Sequence, residues 1–236
     1  MKKILITIYL LLMTSVANAN DIYITQIGDT LDLDITQTGQ SNMIGDSNTS
    51  ASLTGDTMTF DIKQTGNSNT ITAAINGNTY TGTWEFTGNY NDVTIDCDSL
   101  GGSNCEDVTL NITTTGDSND FTFTIGNNDD ATDSTINFTI TGDNNILDTT
   151  VDGVKTQIDV TINNSASMAL TSTNGDEGNE VKIDSANSAG TTGNIIDLTI
   201  TGGGSTYDIT QSGPNDNNVT ATFTGDSQDV DITQSD

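Results

Sequence analysis

Two cysteines and thirty-three carboxylates are the side chains of this 236-residue sequence that could do chemistry. The sequence has no histidine, and nothing sets one Asp or Glu apart from the others, so acid-base and nucleophilic chemistry has few candidate residues. A carboxylate enzyme built on a parallel β-helix is the enzymatic alternative. The sequence predicts instead a protein that is not an enzyme and that needs no cofactor.

Residues 1–19, MKKILITIYLLLMTSVANA, have the three parts of a secretory signal peptide. Two lysines precede an apolar run over residues 4–13, and the small residues ANA at 17–19 form a cleavage site. The apolar run is short for the alternative, a transmembrane anchor. We expect residues 1–19 to be removed and the chain from residue 20 onwards to be secreted to the cell surface or the extracellular space.

The net charge of −28 falls to −30 when Lys2 and Lys3 leave with the signal peptide. Lys63, Lys155 and Lys182 are then the remaining cations, and such a chain cannot neutralise the phosphates of a nucleic acid. After the signal peptide the chain has no apolar run long enough to cross a bilayer. We therefore expect no nucleic-acid partner and no membrane span.

Cys97 and Cys105 are separated by seven residues, DSLGGSN. In an exported protein an even pair this close favours a disulfide that clips one loop. A metal site is the alternative, but the sequence offers neither a histidine nor a second pair of cysteines.

Carboxylates in turns such as Gly116-Asp117 and Gly142-Asp143 leave calcium open as a bridging ion, because calcium prefers oxygen ligands. The spacing of the calcium loops of EF-hand and RTX proteins is absent, which favours solvated turn carboxylates over a calcium site.

The elements that position these residues are clearest between Thr59 and Gly88, where glycines recur every eleven residues. Apolar and amide side chains alternate with Thr and charged residues on both sides of Gly66, which indicates strands with one face turned inward. The unit is a strand-turn-strand arch of 22 residues. Its inward residues around Gly66 are Phe60, Ile62, Gln64, Asn69, Ile71, Ala73 and Ile75.

The same unit recurs over residues 20–236 and predicts one all-β domain, a β-solenoid of about nine stacked strand-turn-strand repeats. Glycine spacings of 27, 28 and 26 residues from Gly39, Gly88 and Gly116 indicate insertions of about four to six residues at turns. The pattern is weakest between residues 153 and 193, where residues 171–178 are predicted to be a loop. The inward residues expected there are Ile158, Val160, Ile162, Val181 and Ile183.

Three segments, QTGQSN (37–42), KQTGNSN (63–69) and STYDITQSG (205–213), resemble the curlin repeat, S-x5-Q-x-G-x2-N-x-A-x3-Q, of bacterial curli amyloid subunits. The similarity covers most of the chain after residue 19, in a diverged form: Gln before the glycine becomes Phe86, Thr114 or Ile140 in the middle of the chain. The resemblance implies a secreted subunit that polymerises into extracellular fibres for adhesion or a biofilm matrix. It also implies an outer-membrane secretion channel and a nucleator as partners.

Stacked arches would place like side chains above one another, so inward amides could form hydrogen-bonded ladders along the stack. We predict that these ladders and the end strands mediate self-assembly, with Gln26 at one end and Gln234 at the other continuing the ladder into the next subunit. The predicted ladder residues are Gln26, Gln37, Asn42, Gln64, Asn69, Asn91, Asn119, Asn145, Gln211 and Gln234.

Two other functions are compatible with the pattern. A monomeric adhesin or surface-layer module would have the same fold and would not polymerise. An ice-binding solenoid would use repeated outward Thr-x-Thr pairs, although threonine is also a good strand residue. The pairs are Thr57/Thr59, Thr70/Thr72, Thr81/Thr83, Thr122/Thr124 and Thr222/Thr224.

Overall fold

The structure is a computed structural model, and the predicted signal peptide lies outside the residues that it describes. The described residues are 21–39, 41–45, 51–66, 68–97, 105–126, 131–154, 157–163, 166–173, 180–186, 195–201, 206–212, 218–225 and 228–235.

Within these ranges the chain forms strands and turns and no helix. Every strand pairing is parallel, as expected for a solenoid in which each strand pairs with the equivalent strand of the next coil. The strands are β1 (Asp21–Ile22), β2 (Thr25–Ile27), β3 (Asp32–Thr38), β4 (Met43–Ile44), β5 (Ala51–Thr54), β6 (Met58–Thr65), β7 (Thr70–Asn76), β8 (Tyr80–Thr87), β9 (Asp92–Cys97), β10 (Thr109–Thr115), β11 (Asp120–Ile125), β12 (Ala131–Thr132), β13 (Thr135–Thr141), β14 (Asn145–Val154), β15 (Gln157–Asn163), β16 (Ala166–Thr173), β17 (Glu180–Ala186), β18 (Ile195–Thr201), β19 (Thr206–Ser212), β20 (Asn218–Thr224) and β21 (Asp229–Ser235).

Alternate segments of the chain belong to alternate sheets. The first sheet has nine strands in the order β21-β19-β17-β15-β13-β10-β8-β6-β3. The second has twelve, ordered β1-β4-β7-β9-β11-β14-β16-β18-β20, with β2, β5 and β12 paired beside this path. The two sheets enclose the core, and the all-β, β-solenoid architecture predicted from the sequence is confirmed.

The register confirms the predicted insertions. Residues 22 apart are neighbours in the region around Gly66, as with Thr83 and Asp61. The offset becomes 27 between Gln64 and Gln37, 28 between Asp117 and Asn89, and 26 between Asn137 and Asn111. The count of about nine repeats stays a prediction, because several turns that would close the repeats lie outside the described residues.

Alternation sends every second side chain into the space between the sheets. On β8 the pattern is strict, with Tyr80, Gly82, Trp84 and Phe86 buried and the residues between them exposed. The predicted inward residues Ile158, Val160, Ile162 and Ile183 are buried. The backbone of Val181 lies in register between Ile158 and Tyr207, as the prediction requires.

One predicted loop is wrong in part. Residues 171–173 of the predicted loop 171–178 belong to β16, which pairs with β14 and β18, and residues 174–178 lie outside the described residues. Met168 of this strand is buried between the sheets. The backbone of β16 is hydrogen-bonded to a strand on each side, and this pairing stabilises a strand of Thr and Ser whose composition is typical of a loop.

The turns explain the glycine spacing. Gly77 has φ of +148°, and a Cβ placed on it would overlap the carbonyl oxygen of Gly55 on the neighbouring coil. Both the backbone angle and the close stacking therefore require glycine. Two residues later the chain takes a left-handed conformation at a non-glycine residue, with φ of 58° at Thr79 and 60° at Thr57.

Gly82 has a different role, which the sequence did not reveal. The Trp84 Nε1 donates a hydrogen bond of 2.8 Å to the Phe60 carbonyl oxygen, and the two rings pack edge to face at 5.9 Å. A Cβ on Gly82 would lie 2.8 Å from Trp84 Nε1 and 2.9 Å from that carbonyl oxygen. The missing side chain of Gly82 thus makes room for the buried indole.

Candidate functional site

The predicted glutamine ladder is present at one end of the nine-stranded sheet. Gln64 Nε2 donates a hydrogen bond of 2.6 Å to Gln37 Oε1, and both side chains are buried. The next position in the column is Phe86, and Gln64 Oε1 has no hydrogen-bond partner among the described residues. The column of amides thus ends where the sequence replaces Gln by an aromatic residue.

The same column begins again at the other end of this sheet. Gln211 of β19 is in register with Gln234 of β21, and Gln211 is buried. The intervening strands place Phe86, Thr114, Ile140, Ile162 and Ser185 in this column. Gln37 and Gln234 are therefore the two outermost described members of one continuous column.

Gln26 does not belong to that column, and this part of the prediction is wrong. Gln26 lies on β2 in the twelve-stranded sheet, in register with Leu53. Its Nε2 makes a 3.4 Å contact with the carbonyl oxygen of Gly28. Gln26 precedes Gly28 as Gln37 precedes Gly39, but the two strands are consecutive along the chain, and consecutive strands alternate between sheets.

The five predicted asparagines form a second column, at the turns that follow β3, β6, β8, β10 and β13 of the nine-stranded sheet. Asn42 Nδ2 donates to Asn69 Oδ1 at 2.9 Å, Asn91 Nδ2 to Asn119 Oδ1 at 2.7 Å, and Asn119 Nδ2 to Asn145 Oδ1 at 2.8 Å. All five side chains are buried. The amides point in one direction along the stack, as in an amide ladder.

Two of the asparagines, Asn91 and Asn119, also close their own turns. Asn91 Nδ2 donates to the carbonyl oxygen of Gly88 at 2.9 Å, and Asn119 Nδ2 donates to that of Gly116 at 2.7 Å. The Asn119 Oδ1 accepts from the backbone N–H of Asn91 as well as from its amide. This position therefore requires both amide atoms, which explains why Asn recurs three residues after these glycines.

The asparagine column is interrupted and has an end. Asn69 Nδ2 and Asn91 Oδ1, on neighbouring coils, are buried without hydrogen-bond partners among the described residues. Asn145 is in register with Ala166, and its Nδ2 also has no described partner. A buried amide group without a partner is costly, so the ladder stabilises the fold unevenly along the stack.

The turn carboxylates form hydrogen bonds along the stack. Asp117 Oδ1 accepts a hydrogen bond of 2.8 Å from the backbone N–H of Asp143, and Asp29 Oδ1 accepts one of 3.0 Å from that of Asp56. Among the described residues, no group of three or more His, Cys, Asp or Glu side chains could hold a metal ion.

One exposed carboxylate is perturbed. Asp120 on β11 is in register with Asp92, and Asp148 lies nearby on the following coil. Partial burial raises the pKa of Asp120, and the negative charges of Asp92 and Asp148 raise it further. This cluster is a site of like-charge repulsion on the outer face of the twelve-stranded sheet.

Cys97 and Cys105 form a disulfide, with their Cα atoms 6.0 Å apart. Both residues are buried, and Cys97 lies in register between Ile75 and Ile125. The bond spans eight residues of sequence and so stays within one insertion of the stack. It fixes the return of that insertion to the core.

The most distinctive surfaces are the two ends of the described stack. On β21 the inward positions Val230 and Ile232 are 37% and 44% exposed, whereas Ile209 on the neighbouring β19 is fully buried. At the other end Leu33 of β3 is partly buried, as are Ile22 and Ile24 next to the start of the twelve-stranded sheet. Among the described residues, no element covers the outer edges of β3 or β21. Unpaired edges of this kind are templates for further strands.

The threonine pairs are divided between both sheets. Thr81 and Thr83 lie on β8 in the nine-stranded sheet, whereas Thr70/Thr72, Thr122/Thr124 and Thr222/Thr224 lie on β7, β11 and β20 in the other. Thr57 lies in a turn with φ of 60°. The pairs therefore do not form a single flat array, and no observation favours the ice-binding alternative.

Within the described ranges, no helix has the length and apolarity that crossing a membrane requires. Comparison of the chain with protein-family models, with curated proteins and with solved structures finds no match.

Proposed function

We propose that this protein is a secreted structural subunit of the curlin type, built from about nine repeats, which stacks end to end into extracellular amyloid-like fibres. The fibres serve adhesion or a biofilm matrix, and export uses an outer-membrane channel and a nucleator. The repeat motif and the amide columns support the relationship to curlin subunits. The function is carried by one observation: among the described residues, β3 and β21 each have no further strand paired to their outer edge.

The energetic argument for stacking concerns backbone and side chains together. Within the described part of the chain the outer edges of β3 and β21 have no strand partner, and Val230 and Ile232 expose apolar surface on β21. A second copy that places a parallel strand on each edge would form hydrogen bonds with the edge backbone and would also bury the apolar side chains.

The negative charge of the subunits opposes their stacking and makes it dependent on salt. The chain carries a net charge of −28, and the ion pair of Lys63 with Glu85 is exposed. Subunits of equal sign repel one another, and salt screens that repulsion. Association should therefore depend on ionic strength.

Electron microscopy of the purified protein, diluted from denaturant into buffers of increasing salt, tests the proposal. We expect unbranched fibres that bind thioflavin, grow faster when seeded and give a reflection near 4.8 Å along the fibre axis. A chain that stays monomeric at high concentration in every buffer would contradict the proposal and favour a monomeric adhesin.

A further inference from the structure

We propose that the junction between subunits has one defined register, in which β21 of one subunit pairs in parallel with β3 of a second copy. In the same junction β20 pairs with β1 and β2 of that copy. The inference rests on the proposed stacking and adds to it which strands and side chains meet. It makes the two ends of the described stack complementary parts of one binding surface.

The order of the strands supports this register. The first described strands, β1 and β2, lie in the twelve-stranded sheet, and the last, β21, lies in the nine-stranded sheet. After β21 the next strand of a regular coil belongs to the twelve-stranded sheet, beside β20. In a second copy that strand is β1–β2, and β3 follows it onto β21. The stack can thus continue through the junction without skipping a strand.

Side chains in the nine-stranded sheet match at this register. The columns that contain Gln37 and Gln234 are continuous, so alignment of those two residues also places Val230 on Leu33 and Ile232 on Ile35. Val230, Ile232 and Leu33 are partly exposed in the single subunit. Ile35 is 9% exposed. The junction would bury two aliphatic pairs, Val230 with Leu33 and Ile232 with Ile35. It would also bury the amide pair Gln234 with Gln37, which resembles the pair of Gln37 and Gln64 inside the subunit.

The twelve-stranded sheet matches less completely. Val219, Ala221 and Phe223 on β20 have a half-buried, alternating pattern. Continuation of the register places Val219 on Ile22 and Ala221 beside Ile24. Phe223 meets Gln26, the glutamine that lies outside the amide column. The junction in this sheet is therefore mainly an apolar contact.

Gly28 supplies an independent observation. A Cβ on Gly55 or Gly77 would overlap the carbonyl oxygen of the preceding glycine in the stack, but a Cβ on Gly28 would meet nothing within 4 Å. Gly28 is four residues before β3 and Gly225 four residues before β21, and both have positive φ, +124° and +144°. At the junction the carbonyl oxygen of Gly225 would take the open space against Gly28, as that of Gly28 does against Gly55 inside the subunit.

Spin labels on two exposed positions test the register. Thr36 on β3 and Thr233 on β21 are outward residues that would become direct neighbours at the junction, whereas eight strand spacings, about 38 Å, separate them within one subunit. The variant Thr36→Cys/Thr233→Cys is labelled with the native disulfide intact. We expect strong spin–spin broadening in fibres and none in the monomer.

The matched control is Thr36→Cys/Asp229→Cys, in which the second label is moved four residues along β21, about 13 Å from the first at the proposed junction. Weak broadening is expected for this control. Fibres in which the control is broadened more than the test pair would overturn the register while leaving end-to-end stacking intact. Failure of the unlabelled protein to form fibres would overturn both.

A second variant keeps the inference testable if the labels disturb growth. Gly28→Ala adds a methyl group where the isolated subunit has open space, so the strain of alanine at a φ of +124° is the only cost to the monomer, which we expect to fold with a moderately lowered thermal transition. At the junction the methyl group would overlap Gly225, and elongation from wild-type seeds should fall roughly tenfold or more. Unchanged elongation of the folded variant would overturn the proposed contact.

Discussion

Gln64 Nε2 and Gln37 Oε1 lie 2.6 Å apart on neighbouring strands of the nine-stranded sheet, in a space that is otherwise lined by aliphatic and aromatic side chains. Gln37 Nε2 also donates to the carbonyl oxygen of Met43 at 3.2 Å. The pair links two coils of the solenoid to each other and to the following turn. It therefore stabilises the register between coils as well as the coils themselves.

The first prediction concerns this amide pair. Gln64→Leu should lower the free energy of unfolding by about 1–3 kcal/mol, because Gln37 Oε1 would remain buried without its donor. Gln37→Leu/Gln64→Leu should cost less than the sum of the two single substitutions, since an aliphatic pair leaves neither amide unpaired. Urea unfolding of all four proteins measures the coupling, and additive effects would mean that the bond contributes nothing to stability.

The second prediction compares two glycines with similar backbone angles. Gly77→Ala should destabilise the monomer by about 1–3 kcal/mol more than Gly28→Ala, because only the former introduces an overlap with a neighbouring carbonyl oxygen within the subunit. Both substitutions place alanine at positive φ, so that cost is present in each and the difference isolates the stacking contact. Thermal unfolding under conditions that keep the protein monomeric provides the comparison, and equal losses would contradict the explanation.

These glycines also mark how far the sequence could predict the fold. Spacings of eleven residues and alternation gave the arch, the inward faces and the insertions, because both patterns follow directly from the geometry of a strand and its turn. The same patterns could not assign Gln26 to a sheet, because every strand in the repeat carries the same local signal. The sheet is fixed only by the order of coils.

Long-range contacts account for what the sequence did not reveal. β16 was missed because its composition resembles a loop, and its pairing with β14 and β18 comes from residues distant along the chain. The five asparagines of the column were predicted, because each stands three residues after a turn glycine, whereas the break between Asn69 and Asn91 was not. Gly82 gave one usable signal, a glycine in an inward position two residues before the sole tryptophan.

The third prediction follows from that position. Gly82→Ala should cost about 1–3 kcal/mol, because its methyl group would overlap the hydrogen-bonded indole of Trp84 and the Phe60 carbonyl oxygen. In a Trp84→Phe background, which is itself destabilised by loss of the indole, the same glycine substitution should cost less. Denaturant titration followed by circular dichroism measures the four stabilities, because the Trp84→Phe proteins contain no tryptophan. An equal cost in both backgrounds would place the strain elsewhere.

The fourth prediction is a pH dependence at Asp120. Its pKa is raised in the folded protein, so between the ordinary and the raised pKa the folded state binds more protons than the unfolded state. Stability from this group is therefore present below the ordinary pKa and is lost as the pH rises through the window. Asp120→Asn should accordingly stabilise the protein near neutral pH by roughly 0.2–1 kcal/mol, the usual size of a like-charge effect across strands.

The same substitution should have almost no effect near pH 3, where the carboxyl group is protonated in both states. Urea unfolding of the two proteins at both pH values is the measurement, with Asp107→Asn as a control for removal of one exposed charge. A stabilisation by Asp120→Asn that is the same at both pH values would show that burial of the side chain, and not its charge, causes the effect.

The fifth prediction concerns charge at the proposed junction. Asp32 and Asp34 on β3 would lie against Asp229 and Asp231 on β21 of the neighbouring copy, and all four are exposed in the single subunit. Their mutual repulsion would exist only in the fibre and during its growth. Asp32→Asn/Asp229→Asn should therefore accelerate seeded elongation at low ionic strength, with little change in monomer stability, because Asp32 and Asp229 lie against Thr59 and Thr206 within the subunit.

The control Asp107→Asn/Asp133→Asn removes the same number of exposed charges from coils away from the ends, so it changes the net charge equally. At low salt, elongation should be fastest for the junction variant and only slightly faster than wild type for the control. At about 0.15 M salt, where screening acts over about 8 Å, the advantage of the junction variant should shrink but persist, because the opposed carboxylates lie closer than that distance. Equal acceleration by the two variants at all salt concentrations would indicate that net charge alone controls growth and that these carboxylates do not face one another.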